Sequence, residues 1–230
     1  MGTRERRERE KSEMRSRIMD AARDLFARDG YEAMSMRKLA ETIEYSPTAI
    51  YAYFKDKEDL LRQICRDDFD KFQQRTVAAS SSTDPVERVL HIGRTYIQFA
   101  VENPNHFRRM FLIPPELEPT QEDLELKGDP TRDGYAYFRS TVAEAVREGR
   151  FRKELKNDVE LITQTLWAAV HGVAAICVTY RNDAWVSLKS NEDLIQAMTS
   201  SILRGMLNDD DRFLQKPSPR KVSPRKAGAK

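Results

Sequence analysis

The chain has 230 residues, and 39 basic against 37 acidic side chains leave a formal charge of +2, which excludes a bulk polycation of the histone kind and confines any contact with nucleic acid to a local surface. Seven basic residues and no acidic one fall between Arg212 and Lys230, so the remainder is net acidic. Hydrophobic residues at 40%, charged residues at 33% and nine glycines suit a helical protein of one or two domains, and two widely separated cysteines, Cys65 and Cys177, argue against a disulfide framework or zinc site and fit a reducing cytoplasm.

Arg and Glu alternate through residues 1–11 with no apolar face, and this stretch reads as a disordered arm without a signal-peptide core. Ser12 can cap a first helix over about 12–28, where Ile18, Met19, Ala22, Leu25 and Phe26 recur at helical spacing and Gly30 marks the end. Ser35 caps a short second helix carrying Leu39, Ala40 and Ile43. Ser46 before Pro47 is an N-cap with proline at the first helical position, and it opens a third helix to about residue 53. Asp56, with Asp59 three residues on, opens a fourth that runs to about 76 along Leu61, Cys65, Phe69 and Phe72. A small polar linker over 78–83 precedes a fifth helix from Asp84-Pro85 and a sixth from Asn103-Pro104. Residues 113–130, with Pro114, Pro115, Pro119, Gly128 and Pro130, read as a loop. Asp129-Pro130 opens a seventh helix ended by Gly149, Asn157 caps an eighth that reaches about Tyr180, and residues 191–207 form a ninth.

No segment alternates with period two, so the expected fold is all-α with about nine helices. The expected division is a helix-turn-helix DNA-binding domain over 12–55, a helical ligand-binding and dimerisation domain over 56–211 with 56–76 as its connecting helix, and a disordered basic tail over 212–230. The longest apolar run, Leu166 to Val178, is too short for a membrane span and contains His171 and Gly172, so no membrane contact is expected.

Two short helices joined by a tight turn and braced by a first have the dimensions of a helix-turn-helix. The third helix starts with free backbone N–H groups behind Ser46-Pro47, a place that suits a phosphate. Thr48, Tyr51 and Tyr53 can donate to phosphates or touch thymine methyls, Lys55 and Lys57 can grip the backbone, and Arg37 can reach a guanine edge. Residues 1–60 hold thirteen basic and thirteen acidic side chains, so placement and not charge singles the module out.

The stretch from Ile18 to Tyr31, the run from Ser35 to Ala40, and the run from Ser46 to Leu60 with its Tyr51-x-Tyr53-Phe54-x-x-Lys57 segment resemble the tetracycline-repressor (TetR) family over residues 15–62 without a gap. The resemblance implies a one-component transcription regulator, usually a repressor. It implies a homodimer that sets two recognition helices in successive major grooves of a pseudo-palindromic double-stranded operator. DNA contacts carried over fall on Ser35, Arg37, Ser46, Thr48, Ala49, Tyr51, Tyr53, Lys55 and Lys57. Where many members have glycine in the turn, this chain has Ile43, Glu44 and Tyr45.

In the larger domain Trp167 and His171 lie four residues apart on one face of the eighth helix. With Gly172 they resemble a C-terminal domain type marked by Trp-x-x-x-His-Gly. The surrounding segment is apolar nearly all round, which predicts burial on both sides, and its small residues admit a close neighbour. The eighth and ninth helices are therefore the expected dimer interface. A pocket for a small hydrophobic effector is expected among Tyr96, Phe99, Phe107, Met110, Phe111, Tyr137, Phe138, Trp167 and His171. His91, His106 and His171 lack the local spacing of metal ligands, and neither a metal nor a cofactor is expected.

Ser218-Pro-Arg-Lys221 recurs as Ser223-Pro-Arg-Lys226 in a composition that cannot form a core. The expected function is a ligand-responsive, sequence-specific repressor in the cytoplasm. The alternative is a helical architectural DNA-binding protein without ligand sensing. No nucleophile elbow, P-loop, dinucleotide fingerprint or metal helix motif points to an enzyme.

Overall fold

The computed structural model describes residues 3–112, 118–181, 183–211 and 213–214. Among them are ten α-helices: α1 (Thr3–Ala33), α2 (Met36–Thr42), α3 (Pro47–Tyr51), α4 (Lys57–Ala79), α5 (Pro85–Glu102), α6 (Pro104–Phe107), α7 (Gln121–Leu126), α8 (Gly134–Arg147), α9 (Val159–Thr179) and α10 (Asn191–Met206). A π-helical turn (Arg108–Leu112) continues α6, and a short 3-10 turn (Lys153–Leu155) leads towards α9. The described residues contain no strand, only an isolated bridge between Phe151 and Leu207. The fold is all-α, as the missing period-two alternation requires.

Capping residues fix most helix starts. The hydroxyls of Ser35 and Ser46 accept from the backbone N–H of Lys38 and Ala49, each at 3.2 Å, and the Asp56 carboxylate accepts from Asp59 at 2.8 Å. Four starts differ from the sequence expectation, the first being α1, which begins at Thr3 and leaves the expected cap Ser12 inside the helix. Thr120 and Asp123 close a reciprocal capping box that holds α7 inside the stretch read as loop. Asp133 caps α8 four residues later than Asp129, because its carboxylate reaches the N–H groups of both Tyr135 and Ala136. Asp158 caps α9, since Lys156 and Asn157 adopt the left-handed conformation before it.

The arm expected over residues 1–11 is helical from Thr3 onward. Arg4–Glu8, Arg6–Glu10 and Arg9–Glu13 pair at i,i+4 along it, and such pairs support a helix that has no apolar face. Gly30, at φ 80° and ψ 170°, then breaks α1 in a conformation open essentially only to glycine.

Glu44 holds φ +61° in the turn between α2 and α3, so that Tyr45 N–H reaches back to the Ala40 carbonyl at 2.9 Å. This position follows the α2 C-terminus, where glycine carries no Cβ penalty. Glu44→Gly should therefore stabilise the protein by about 1 kcal/mol, a rise of about 2–4 °C in Tm readable by differential scanning calorimetry. An unchanged or lower Tm would show that the turn is not strained.

The first core joins α1 to α4 around Ile18, Leu25, Leu39, Ile50, Phe54 and Leu60. Two further cores flank α5, which packs against α4, α8 and α9. Phe213 and Leu214, expected in the tail, pack against the core that contains Leu207. Buried Arg150 anchors the approach to them by donating to both oxygens of Asp211, at 2.6 and 2.8 Å, and to Asp84 at 3.0 Å. Arg212 and residues 215–230, with both Ser-Pro-Arg-Lys repeats, lie outside the described residues.

Burial on both sides of α9 is not what the structure shows. Ile162, Leu166, Ala174, Cys177 and Val178 face inward, but Leu161, Trp167 and Ile176 stay 51%, 38% and 44% exposed. The reason is that α5, α8 and α10 cover only one side of the helix. By length and composition α9 as a whole (Val159–Thr179) also passes for a membrane span, which the shorter run from Leu166 to Val178 does not. Polar but uncharged Thr163, Gln164 and Thr165 precede the run and His171 lies within it, so they lengthen the weakly charged stretch without raising the charge of the 21-residue helix. One such helix is weak evidence, because the core helix of a soluble protein meets the same description.

Candidate functional site

The small module builds its outer face on a buried floor. Ile50 is fully buried under α3, and helical spacing then turns Thr48 and Tyr51 outward; Tyr51 remains 53% exposed. Ser35 and Ser46 sit exposed at the two helix starts, Ala49 is half-buried, and Lys55 is exposed just past α3. Arg37 stands exposed on α2 and donates to Glu41 at 3.1 Å. Two expected contact residues also serve the module itself. Tyr53 is half-buried against the first core, and the Lys57 ammonium donates to the Met34 carbonyl at 3.1 Å, tying α4 to the start of α2.

Three arginines of α1 complete the picture. Arg15 lies over the Phe54 ring, 5.6 Å from its centroid, and donates to Gln63 on α4. Arg17 lies over Tyr45 at 5.4 Å and donates to the Ile43 carbonyl at 3.3 Å. Arg23 is nearly buried and bridges Asp20, Asp67 and Asp68, locking α1 to α4. Burial lifts the Asp68 carboxyl above the usual carboxylate range despite Arg23 and His106 beside it. Sequence reasoning missed Arg23, although the signal was present: a charge stands at an inward position between Met19, Ala22 and Phe26.

The residues expected in one pocket divide between two cores. Tyr96, Phe99, Phe107, Met110 and Phe111 gather around Phe72 of α4, with ring centroids 5.0–6.1 Å from Phe72 for three of them. Trp167 and His171 close the same cluster, their rings 5.7 Å apart. Tyr137 and Phe138 do not join it. They face the neighbouring core of Val86, Val142 and Ile162, where the Tyr137 hydroxyl meets Ser80 at 2.7 Å. Periodicity gives the face of α8 but not the neighbour it meets. Tyr135, which was not singled out, instead reaches Trp167 at 6.0 Å.

Inside the aromatic cluster Tyr96 Oη meets His171 Nδ1 at 2.8 Å. Burial pushes the phenol up and the imidazole down, so both groups are neutral at neutral pH. Concavities are found away from this cluster. An open groove of about 740 Å³ follows α1 from Ser12 to Arg28 beside Thr42, and a cleft of about 130 Å³ lies between Pro104 and Cys177. Among the described residues no cluster of His, Cys, Asp and Glu is arranged to hold a metal ion.

Residues 18–64 match the family model described as bacterial regulatory proteins, tetR family, and residues 89–200 match a tetracyclin repressor-like C-terminal domain. The fatty acid metabolism regulator protein of Bacillus subtilis is 25% identical over 191 residues, 81% of this chain and 90% of its own. The HTH-type transcriptional repressor AcnR of Corynebacterium diphtheriae is 42% identical over 59 residues, 26% of this chain and 31% of that repressor, so the chain spans under a third of this relative. Among solved structures, a ketosteroid transcriptional regulator of Mycobacterium tuberculosis superposes with a TM-score of 0.65 at 17% identity, over 85% of this chain and 96% of that one. A TetR family transcription regulator of Marinobacter aquaeolei superposes at 0.68 and 18% identity, over 89% and 99%. At these identities the structural likeness is one of fold.

Proposed function

This chain belongs to the TetR family of DNA-binding transcription regulators, and from that premise we propose that it is a cytoplasmic repressor that reads a pseudo-palindromic operator as a homodimer and is released by a small hydrophobic effector. The observation that carries the DNA reading is the outward polar face of α3 on a fixed base. Thr48 and Tyr51 project from a helix capped by Ser46, whose inner side is closed by Ile50 and Phe54. In this reading Ser35, Arg37, Ser46, Ala49, Tyr53, Lys55 and Lys57 complete the contact surface, most of them on phosphates and few on base edges.

The second copy docks on the open face of α9. Leu161, Thr165, Ala168, Gly172 and Ile176 follow one another at spacings of three and four, so they share one helix face. Its centre is small and its ends are apolar, and exposed Ala197 and Ser201 of α10 lie beyond it. Such a face suits close helix packing across a two-fold axis.

The effector is proposed to enter the aromatic cluster of Tyr96, Phe99, Phe107, Met110 and Phe111. The Tyr96–His171 pair then acts as its neutral polar handle, beneath Trp167. Trp167, His171 and Gly172 are in this reading the mark of the C-terminal domain subtype. The cluster includes Phe72 of α4, and α6 also touches α1, so displaced rings act on both helices that carry the DNA module. Two similar proteins, named as a fatty acid metabolism regulator and a ketosteroid regulator, agree with an apolar effector.

Selection of bound duplexes from random sequence tests the operator reading. The expected product is a two-fold symmetric motif with half-site centres about 34–36 Å apart. Ile176→Arg should lose that symmetric product and sediment as a monomer. Recovery of bound duplexes that share no motif would replace this reading with an architectural one.

A further inference from the structure

α1 runs about three turns beyond the core it serves. Residues 4–13 are all exposed, and the first residue of α1 in the core is half-buried Met14. This overhang lacks apolar contacts, yet its charges are sorted. Arg4, Arg7, Lys11 and Arg15 succeed one another at spacings of three and four, and Ile18, Ala22 and Leu25 continue the same line into the buried core. The carboxylates of Glu8, Glu10 and Glu13 are held by Arg4, Arg6 and Arg9. Among the described residues Arg7 and Lys11 have no ion-pair partner.

Like charges at i,i+4, here Arg7 with Lys11 and Lys11 with Arg15, destabilise a helix by about 0.2–0.5 kcal/mol each. A polyanion on that side reverses the sign of the effect. The side is set by Arg15, whose guanidinium lies over Phe54 at the end of the recognition helix and bonds Gln63 of α4. The stripe therefore starts beside the connection from α3 to α4, where Tyr53 and Lys55 lie and Lys57 opens α4.

We infer that the overhang of α1, residues 3–12, is a second DNA-binding element, whose Arg4, Arg7 and Lys11 hold backbone phosphates flanking the half-site. This rests on the operator reading above for its setting, but it adds a surface outside the recognition helix. Ten residues at 1.5 Å each reach about 15 Å, or about four further base pairs of B-DNA.

The test compares the full chain with Arg7→Ala/Lys11→Ala by fluorescence anisotropy across a salt series. One duplex carries about ten base pairs on each side of the half-sites, and the other ends at their edges. Each lost phosphate contact lowers the salt slope by about 0.9, so two per chain in a dimer predict a slope smaller by about 3–4 on the long duplex. The short duplex should be bound alike by both proteins, and sequence preference should not change. Equal slopes on the long duplex overturn the inference, as does equal weakening on both duplexes. A chain that keeps the slope difference but shows no sequence preference removes the operator reading and leaves this element standing. Circular dichroism of the variant is expected to retain the helical signal, and lost helix with unchanged DNA binding counts against the inference.

Discussion

Tyr51→Ala is expected to weaken operator binding by at least about thirtyfold while folding and dimerisation stay intact. Tyr51 is more than half exposed and takes no part in the first core, so the change removes exposed surface of α3 and little else. A contact at a base edge or beside it contributes about 1–3 kcal/mol. A two-fold dimer loses it twice, which gives about 2–6 kcal/mol in all. Lys57→Ala makes a poorer probe, because the Lys57 ammonium also holds the Met34 carbonyl. Anisotropy on the selected duplex measures the loss, and sedimentation velocity confirms the dimer. Binding within about threefold of the parent would remove α3 from the reading surface.

Arg23→Ala should cost about 3–5 kcal/mol of stability, the typical penalty for a buried ion pair that loses one partner. Asp68 is only 5% exposed at its side chain, and Asp67 is a third exposed. Without Arg23 the Asp68 carboxylate stays buried against α1 with its chief counter-charge gone. For a chain of this size the loss corresponds to a fall of about 6–20 °C in Tm. The pH dependence has a definite sign. Burial already raises the Asp68 carboxyl, and losing Arg23 raises it further. A folded-state pKa above the unfolded value favours folding at low pH, so the deficit shrinks as pH falls towards about 4 and is full above the raised value. Arg23→Met with Asp68→Leu should recover much of the stability, because neither buried charge remains. A deficit below about 1 kcal/mol in the single variant, flat across pH, would refute the role given to this bridge.

Local chemistry made much of this protein readable from its residues. Ser35, Ser46, Asp56 and Asp84 cap the helices they were expected to open, because a side-chain oxygen before a helical stripe satisfies orphan N–H groups whatever the rest of the fold does. Three features were less legible, each for a physical reason. The α1 overhang has no apolar period to detect, and i,i+4 ion pairs carry its helix instead. α7 hides between prolines and is held by a reciprocal cap over six residues. Glu44 occupies a left-handed position that sequence patterns reserve for glycine; the turn itself was expected, but only the backbone angle shows which of Ile43, Glu44 and Tyr45 takes that conformation.

The candidate sites show the same limit. Helical spacing correctly turned Thr48 and Tyr51 outward and Ile50 inward, since α3 packs on a single floor. It could not separate Tyr137 and Phe138 from Tyr96 and Phe107. All four point away from solvent, and which core receives them depends on how α4, α8 and α9 cross. Nor could spacing show that Trp167 stays partly open, because composition does not say which side of an apolar helix lacks a neighbour.

In the proposed dimer, the bare side of α9 also sets a dosage law. A seam that only a second copy can cover forms in proportion to the square of chain concentration while monomers predominate. Operator occupancy then rises quadratically with expression at first, so halving the amount of protein lowers early occupancy about fourfold, without any effector being present.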